Sequence, residues 1–186
     1  MNKPGNARSK KFRALLFVFW WTALSWTFGH HGLENNTHIR FRHLTTADGL
    51  SNNEVLCILR DHEGFMWFGT ANGLNRFDGF NFKVYAPEPG NPNSLSNQKI
   101  TSLCEDHRGV LWIGTSAGLN RLDRATNRFI RFANQPHDPN SLGSDWVSTI
   151  YEDRNGGLWI GTLGGGLNRF DPGKKNFRRF SHLPHD

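Results

Sequence analysis

Several features that define common functional classes are scarce or missing in this sequence. It has only two cysteines among 186 residues, too few for a disulfide scaffold. Its longest apolar stretch falls short of the roughly 20 residues that a membrane-spanning helix needs. The glycine run Gly164–Gly166 is not followed by Lys-Ser/Thr, so the sequence has no phosphate-binding loop of the Walker type there.

A basic surface is also missing once the first residues are set aside. The formal net charge is +6. Residues 1–13 contain no acidic residue and five basic ones: Lys3, Arg8, Lys10, Lys11 and Arg13. The rest of the chain holds 17 basic and 16 acidic residues. This near-neutral remainder lacks the basic stripe that a phosphate backbone demands, so we expect no nucleic-acid partner.

An uncharged apolar stretch follows the basic segment. It runs from Ala14 to Phe28, a length of 15 residues. Basic residues ahead of an apolar run of this length are typical of a secretory signal peptide, although no clear Ala-x-Ala cleavage pattern follows. Residues 1–30 are therefore predicted to form a hydrophobic signal helix that is either cleaved or kept as a signal anchor. In both cases the following residues are exported, which predicts a periplasmic location.

Three copies of one unit fill the remainder of the chain. Equivalent tryptophans lie 45 and 47 residues apart, and aspartates and glycines keep the same register. A period in the mid-forties, with turn residues every few positions, is typical of β-propeller blades that are each a four-stranded antiparallel sheet. We interpret the repeated residues as a structural core that packs blades together and caps turns. They are Trp67, Trp112, Trp159, Gly69, Gly114, Gly161, Asp61, Asp106 and Asp153.

Each copy divides into four predicted strands. In the second copy the first three are residues 100–104, 111–115 and 119–122. Pairs of phenylalanines mark the fourth strand of each copy: Phe80 and Phe82, Phe129 and Phe132, Phe177 and Phe180. The cysteines Cys57 and Cys104 fall at different repeat positions. We expect them on opposite faces of their strands, without a disulfide between them.

These residues resemble the two-component regulator propeller repeat. The resemblance is carried by Gly-Leu-Ser-Asn, Asp-x-x-Gly-x-Leu/Met-Trp-Ile/Phe-Gly-Thr and Gly-Leu-Asn-Arg-Phe/Leu-Asp, and it covers about three-quarters of the chain. Members of that family form seven-bladed propellers outside the cytoplasm, usually ahead of a membrane span and a histidine kinase or diguanylate cyclase. The resemblance implies an all-β fold with three four-stranded antiparallel blades of an incomplete seven-bladed propeller.

The repeats define an expected domain organisation. We interpret the chain as an N-terminal fragment or a truncated reading frame, because propellers have about four to eight blades. Its open blade edges predict association with further copies of the chain. The expected segments are residues 1–30 as signal peptide or anchor, 31–48 as a lead-in whose residues 41–44 form a ring-closing strand, 49–93 as blade 1, 94–140 as blade 2 and 141–186 as blade 3.

The resemblance implies an extracytoplasmic ligand-sensing module of a membrane-bound sensor kinase or diguanylate cyclase, with the full-length protein in the inner membrane. The membrane would be reached through the N-terminal segment or a missing C-terminal part. Its ligand is open, with carbohydrate as one option, and no cofactor is implied. The alternatives are an exported propeller enzyme, a lyase or hydrolase acting on polysaccharide, and a protein-interaction scaffold.

The acidic residues and histidines do not favour catalysis or metal binding. The aspartates recur in every copy, as turn residues do, whereas a catalytic pair would be unique, so we expect no enzymatic activity. His62 and His107 have Arg154 as their counterpart in the third copy. That replacement is typical of solvated turn residues and not of a metal site. Repeat scaffolds bind through positions that vary between copies, and our candidates for ligand contact are Asn72 and Trp146.

Overall fold

The structure is a computed structural model that describes residues 40–180. The predicted signal helix within residues 1–30 lies outside the described residues. A 3₁₀ turn, Thr46–Asp48, precedes the strands and is capped by Thr45. Residues 41–44, predicted as a ring-closing strand, form no strand among the described residues, which also lack the partner strands expected for them. Between residues 40 and 180, no helix is long and apolar enough to cross a membrane.

Three four-stranded antiparallel sheets follow, one for each sequence repeat, with the strands of each sheet in chain order. This confirms the predicted all-β fold. Sheet 1 contains β1 (Val55–Arg60), β2 (Met66–Thr70), β3 (Gly73–Phe77) and β4 (Phe82–Tyr85). Sheet 2 contains β5 (Ile100–Glu105), β6 (Leu111–Thr115), β7 (Gly118–Asp123) and β8 (Arg128–Phe132). Sheet 3 contains β9 (Val147–Glu152), β10 (Leu158–Thr162), β11 (Gly166–Asp171) and β12 (Asn176–Phe180).

The fourth strand of sheet 1 departs from its prediction. It begins at Phe82, so the assignment of Phe80 to this strand is wrong. The side chain of Asp78 accepts hydrogen bonds from the backbone N–H groups of Phe80 and Asn81, at 2.8 and 2.7 Å. These bonds hold the chain in an aspartate-capped turn, and Phe80 is left 86% exposed.

The two cysteines are free, but they do not lie on opposite faces as predicted. Cys104 pairs with Trp112 in the register in which Leu59 pairs with Trp67. Leu59 lies two residues after Cys57, and residues two apart in a strand share a face. Burial raises the pKa of Cys57 to about 11, and burial also raises the pKa of Cys104. Both side chains are therefore thiols near neutral pH.

Each Asp-x-x-Gly turn is tied to the tryptophan of its own sheet. Asp61 Oδ2 accepts a hydrogen bond from Trp67 Nε1 at 2.7 Å, and Asp61 Oδ1 accepts one from the backbone N–H of Phe65 at 2.9 Å. A buried indole N–H needs an acceptor, and this carboxylate supplies it. The same indole bond recurs in the other sheets: Asp106 with Trp112 at 2.9 Å and Asp153 with Trp159 at 2.7 Å.

The hydrophobic core lies between facing sheets. Trp67 and Leu74 of sheet 1 are fully buried against sheet 2, and Trp112 and Leu119 of sheet 2 are buried against sheet 3. Sheet 2 therefore offers one apolar face to sheet 1 and the other to sheet 3. Sheet 2 supplies to the first interface Ile100, Leu111, Ile113, Leu122 and Phe129. Sheet 3 supplies to the second interface Val147, Ile150, Leu158, Ile160, Phe170 and Phe177.

Glycine after the motif tryptophan lets adjacent sheets approach closely. A Cβ atom placed on Gly69 would lie 2.6 Å from Ile100 Cγ2 of sheet 2. A Cβ atom on Gly114 would lie 2.7 Å from Val147 Cγ1 of sheet 3. Both contacts are too short for real atoms, so a side chain at either position would push the sheets apart.

Charged groups also join the turns of neighbouring sheets. Arg124 of sheet 2 donates from Nη1 to Asp61 Oδ2 at 3.0 Å and to Glu63 Oε2 at 2.6 Å, and from Nη2 to Glu105 Oε1 at 2.8 Å. The backbone N–H of His62 donates to Glu105 Oε2 at 2.8 Å. The buried carboxylate of Asp61 thus receives hydrogen bonds from both sides of the interface.

We expect Asp61→Asn to lower the free energy of unfolding by about 2 kcal/mol, because hydrogen bonds to a buried charged group are stronger than neutral ones. Urea unfolding followed by circular dichroism measures this change. The control is Asp78→Asn in an exposed turn, where the amide caps the same N–H groups and the expected change is within about 0.5 kcal/mol. Equal destabilisation by both variants would contradict the prediction.

The loss of unfolding free energy caused by Asp61→Asn should also depend on pH. Burial alone would raise the pKa of Asp61, but hydrogen bonds from Trp67, Arg124 and Phe65 hold that pKa below its ordinary value. A carboxylate whose pKa is lowered by folding stabilises the fold above its unfolded pKa, and this stabilisation is lost as the pH falls through the folded value. The difference between wild type and variant should be complete near pH ~6 and shrink below pH ~4. A difference that persists unchanged into strong acid would contradict this.

Gly114→Ala should destabilise the protein by about 1–3 kcal/mol, since the added methyl group would lie too close to Val147 of sheet 3 as well as to Ser102 of its own sheet. Thermal unfolding measures the effect. Gly161→Ala is the matched control at the same motif position of sheet 3, where the added Cβ meets only the side chains of Ser148 and Thr149 in its own sheet. We expect a smaller loss there, and an equal loss would show that packing between sheets is not the cause.

Candidate functional site

A polar cleft opens at the side of the molecule where the fourth strands of sheets 1 and 2 lie. It has a volume of about 360 Å³. Its walls are the end of β4, the loop of residues 86–94 and the turn between β7 and β8. We call it the lateral cleft, and its lining residues are Lys83, Val84, Tyr85, Ala86, Glu88, Asn91, Asn93, Ser94, Asn127, Arg128 and Phe129.

One asparagine connects the two sheets inside the lateral cleft. Asn127 Oδ1 accepts hydrogen bonds from the hydroxyl of Tyr85 at 3.0 Å and from Lys83 Nζ at 3.2 Å. Asn127 adopts a left-handed backbone conformation with φ of 55°, which asparagine tolerates better than most residues. The amine of Lys83 also lies 4.9 Å from the centre of the Tyr85 ring. These contacts fix the polar atoms of the cleft relative to one another.

The aromatic ring of Tyr85 is locked from both sides. It stacks on Trp67, with ring centres 5.8 Å apart, and meets Phe129 of sheet 2 edge to face at 5.6 Å. The side chain is only 7% exposed. Its hydroxyl is therefore presented from a rigid position in the core, as a preorganised binding group requires.

The loop wall of the cleft is held by an arginine of sheet 2. Arg131 Nε donates to Ser94 O at 2.7 Å, and Arg131 Nη2 donates to Asn91 O at 2.9 Å and to Leu95 O at 2.9 Å. Ser94 Oγ accepts from the backbone N–H of Glu88 at 2.8 Å. Arg179 makes the equivalent set of bonds in sheet 3: to Ser141 O, Asp138 O, Ser141 Oγ and Leu142 O.

The polar groups that meet at Asn127 in the lateral cleft do not recur at the next junction. Strand pairing aligns Lys83 with Ile130 and Tyr85 with Phe132. The position of Asn127 in its turn is taken by Lys175 in the third repeat. The scaffold of the cleft is repeated, with Asn140 and Ser141 in place of Asn93 and Ser94, whereas the polar groups of Lys83, Tyr85 and Asn127 belong to the first junction alone. Sequence reasoning missed this site because its residues come from two repeats, but the change from Lys83 to Ile130 was a visible signal.

The two residues predicted to contact ligand lie elsewhere. Asn72 is exposed in the turn between β2 and β3. Trp146 precedes β9 and is 42% exposed, and Lys99 Nζ lies 5.4 Å from the centre of a Trp146 ring. Backbone bonds such as Gly73 N–H to Gln98 O, at 2.7 Å, tie these turns to the next sheet. Neither residue lines the lateral cleft, and their role in binding stays a prediction.

The histidines of the turns contact carboxylates of the following sheet. His62 Nδ1 lies 2.6 Å from Glu105 Oε1, and His107 Nδ1 lies 2.5 Å from Glu152 Oε1. Within residues 40–180, no three His, Cys, Asp or Glu side chains are grouped so that they could hold a metal ion. These histidines therefore connect sheets in the described structure.

Comparison with known sequences identifies the repeat. A family model described as two component regulator propeller matches residues 49–72, 94–117 and 141–164. Histidine kinase P4 of Formosa agariphila is 42% identical over 59 residues, which cover 32% of this chain and 4% of that protein.

Two solved structures are similar in sequence and fold. The extracellular domain assigned to the hybrid two component system BT3049 of B. thetaiotaomicron is 32% identical with a TM-score of 0.70, covering 75% of this chain and 20% of that chain. The corresponding domain of BT4673 from the same organism is 31% identical with a TM-score of 0.61, covering 74% of this chain and 19% of that chain. This chain thus spans about a fifth of each of these solved domains.

A third solved structure is similar in fold alone. Virginiamycin B lyase of Staphylococcus aureus is 19% identical with a TM-score of 0.52, and the match covers 70% of this chain and 42% of that chain. The three four-stranded sheets and their face-to-face packing are consistent with the repeats that the sequence comparison matches. In each of the three sheets, the first two strands and the residues that lead into them match the two component regulator propeller repeat.

Proposed function

We propose that these repeats are part of an extracytoplasmic ligand-sensing domain of a membrane-bound signalling protein, of the sensor kinase or diguanylate cyclase type. The observation that carries the proposal is the similarity to two extracellular domains of hybrid two component systems, at 32% and 31% identity. The match to histidine kinase P4 supports the kinase type. The chain spans only a small part of these relatives. The signalling output domain is therefore proposed from the similarity to them.

The lateral cleft is the place where we propose that a ligand binds. Its volume of about 360 Å³ falls within the range of small-molecule sites. Lys83, Arg128 and Asn127 offer hydrogen-bond donors, and Glu88 offers acceptors. Donors and acceptors side by side suit a hydroxyl-rich molecule such as a mono- or disaccharide. The turns that carry Asn72 and Trp146 form the competing binding surface.

The proposed role is binding without catalysis. Asp61, Asp106 and Asp153 each accept hydrogen bonds from an indole N–H and from a backbone N–H of their own turn. The aspartates at the turns after the third strands, such as Asp78 and Asp123, likewise accept from turn N–H groups. Carboxylates committed to these bonds support the binding role over that of a lyase or hydrolase.

A fusion of alkaline phosphatase after Asp186 tests the location. Phosphatase folds to its active form only outside the cytoplasm, so we expect active enzyme in bacterial cells. Leu16→Arg combined with Val18→Arg should lower this activity at least about tenfold, since a charge in the apolar segment costs roughly 2.5–3.5 kcal/mol. The control Ala125→Arg, in an exposed turn, should leave activity unchanged. Activity that survives both charges would argue against export through residues 14–28.

Lys83→Ile combined with Tyr85→Phe tests the lateral cleft. These replacements are the residues found at the equivalent positions of the second repeat, so the sheets should still pack. We expect at least about tenfold weaker binding of any mono- or disaccharide that stabilises the wild type in a thermal-shift panel, because two hydrogen-bonding groups are lost.

The outcomes separate the two candidate surfaces. Asn72→Ala and Trp146→Ala should leave saccharide binding within about twofold of wild type if the lateral cleft is the site. Weaker binding in these variants, with unchanged binding in the cleft variant, would place the ligand at the turns instead. A panel without any stabilising saccharide would count against a carbohydrate ligand.

A further inference from the structure

Two positively charged side chains line the lateral cleft from different sheets. Lys83 belongs to β4 of sheet 1, and Arg128 begins β8 of sheet 2. Within residues 40–180, neither side chain forms an ion pair with a carboxylate. The positive charge of the cleft is therefore not compensated by ion pairs in this part of the chain.

The acidic groups near the two cations are bonded elsewhere. Glu88 also lines the cleft, and its Oε2 accepts a hydrogen bond from the side-chain amide of Asn91 at 2.7 Å. Asp123 is the strand-pairing partner of Arg128, but its carboxylate accepts from the hydroxyl of Thr126 in its own turn at 2.7 Å. Each carboxylate is thus held within its own loop or turn.

Neutral groups hold the ammonium of Lys83 in the cleft. Its Nζ donates to Asn127 Oδ1 at 3.2 Å and lies 4.9 Å from the centre of the Tyr85 ring. An ammonium group can donate three hydrogen bonds, so donors remain besides the one that Asn127 uses. The guanidinium of Arg128 adds a planar pair of donors that suits a carboxylate or a sulfate. An anionic group of a ligand in this cleft would accept hydrogen bonds from both side chains.

The pair of cations is not needed to join two sheets. At the junction of sheets 2 and 3, Ile130 stands at the position of Lys83, and Asn176 at the position of Arg128. Lys175, in place of Asn127, leaves one cation there instead of two. Sheets 2 and 3 nevertheless pack through a buried apolar core. The two charges of the first junction therefore have no packing role that the second junction shares, which favours a role in binding.

We propose that the ligand of the lateral cleft carries an anionic group, a carboxylate or a sulfate ester on a sugar ring, which binds between Lys83 and Arg128. This inference rests on the proposed sensing function and narrows its ligand to the acidic saccharides. Hydrogen bonds between charged groups are about twice as strong as neutral ones. The anionic group would therefore supply most of the discrimination, while Asn93 and Asn127, which also line the cleft, meet the hydroxyl groups of the sugar.

The test titrates the full chain with three sugars that differ only at C6: glucose, glucuronate and glucose 6-sulfate. Calorimetry at low ionic strength measures each Kd. We expect at least one anionic sugar to bind at least about tenfold more tightly than glucose. The sugar that is preferred identifies the anionic group as a carboxylate or a sulfate. The preference should shrink at about 1 M salt, because exposed charges are screened there.

Replacements taken from the other repeats locate the anionic group. Lys83→Ile and Arg128→Asn should each lower the preference for the anionic sugar over glucose about three- to fivefold, and the double variant should remove it. A merely structural role would weaken the binding of all three sugars alike and leave this ratio unchanged. The control Lys174→Ala removes one exposed charge outside the cleft and should also leave the ratio unchanged.

The outcomes separate this inference from the sensing function on which it rests. Equal affinity for all three sugars would overturn the anionic class and leave the sensing function standing. A preference that survives in the double variant, or that Lys174→Ala lowers equally, would overturn the placement between Lys83 and Arg128. Failure of both anionic sugars to bind would also overturn the inference. If the neutral saccharides of the thermal-shift panel fail as well, saccharide sensing itself is contradicted.

Discussion

Burial of one sheet's tryptophan beneath the next sheet is the contact from which the architecture follows. A four-stranded sheet has no interior, so Trp67 can leave water only when sheet 2 covers it. Its indole N–H then needs an acceptor, which Asp61 supplies at 2.7 Å. The close approach needs a residue without a side chain, which explains Gly69 beside Ile100. Tryptophan, aspartate and glycine thus recur together because the packing of one sheet on the next requires all three.

Local features of this fold could be predicted from the sequence, because they repeat three times and depend on near neighbours. Strand β6, Leu111–Thr115, has the bounds that the pattern predicts. The error at Phe80 arose because the capped turn at Asp78 outcompetes strand pairing. The error for the cysteines arose from treating two positions of the same strand face as opposite ones. Both errors concern single positions within correctly identified units.

The candidate site was beyond prediction because its contacts join different repeats. Lys83 and Asn127 are 44 residues apart, and Tyr85 and Asn127 are 42 apart. No local pattern specifies such pairs. The repeat comparison does reveal where copies differ, and those differences include Lys83 and Asn127 of the lateral cleft and Arg154 in the third repeat. Repeated residues build the packing, and unique residues give each junction its own chemistry.

The arginines that fasten the connecting loops have a consequence for how such arrays grow. Arg131, in the last strand of sheet 2, bonds to Ser94 and Leu95, which lead into the first strand of the same sheet. The connector and the sheet that follows it therefore close upon themselves as a module. A gene duplication whose ends fall at these points would copy a sheet together with the connector that its own arginine holds. Lengthening the array by whole modules then requires no newly evolved linker.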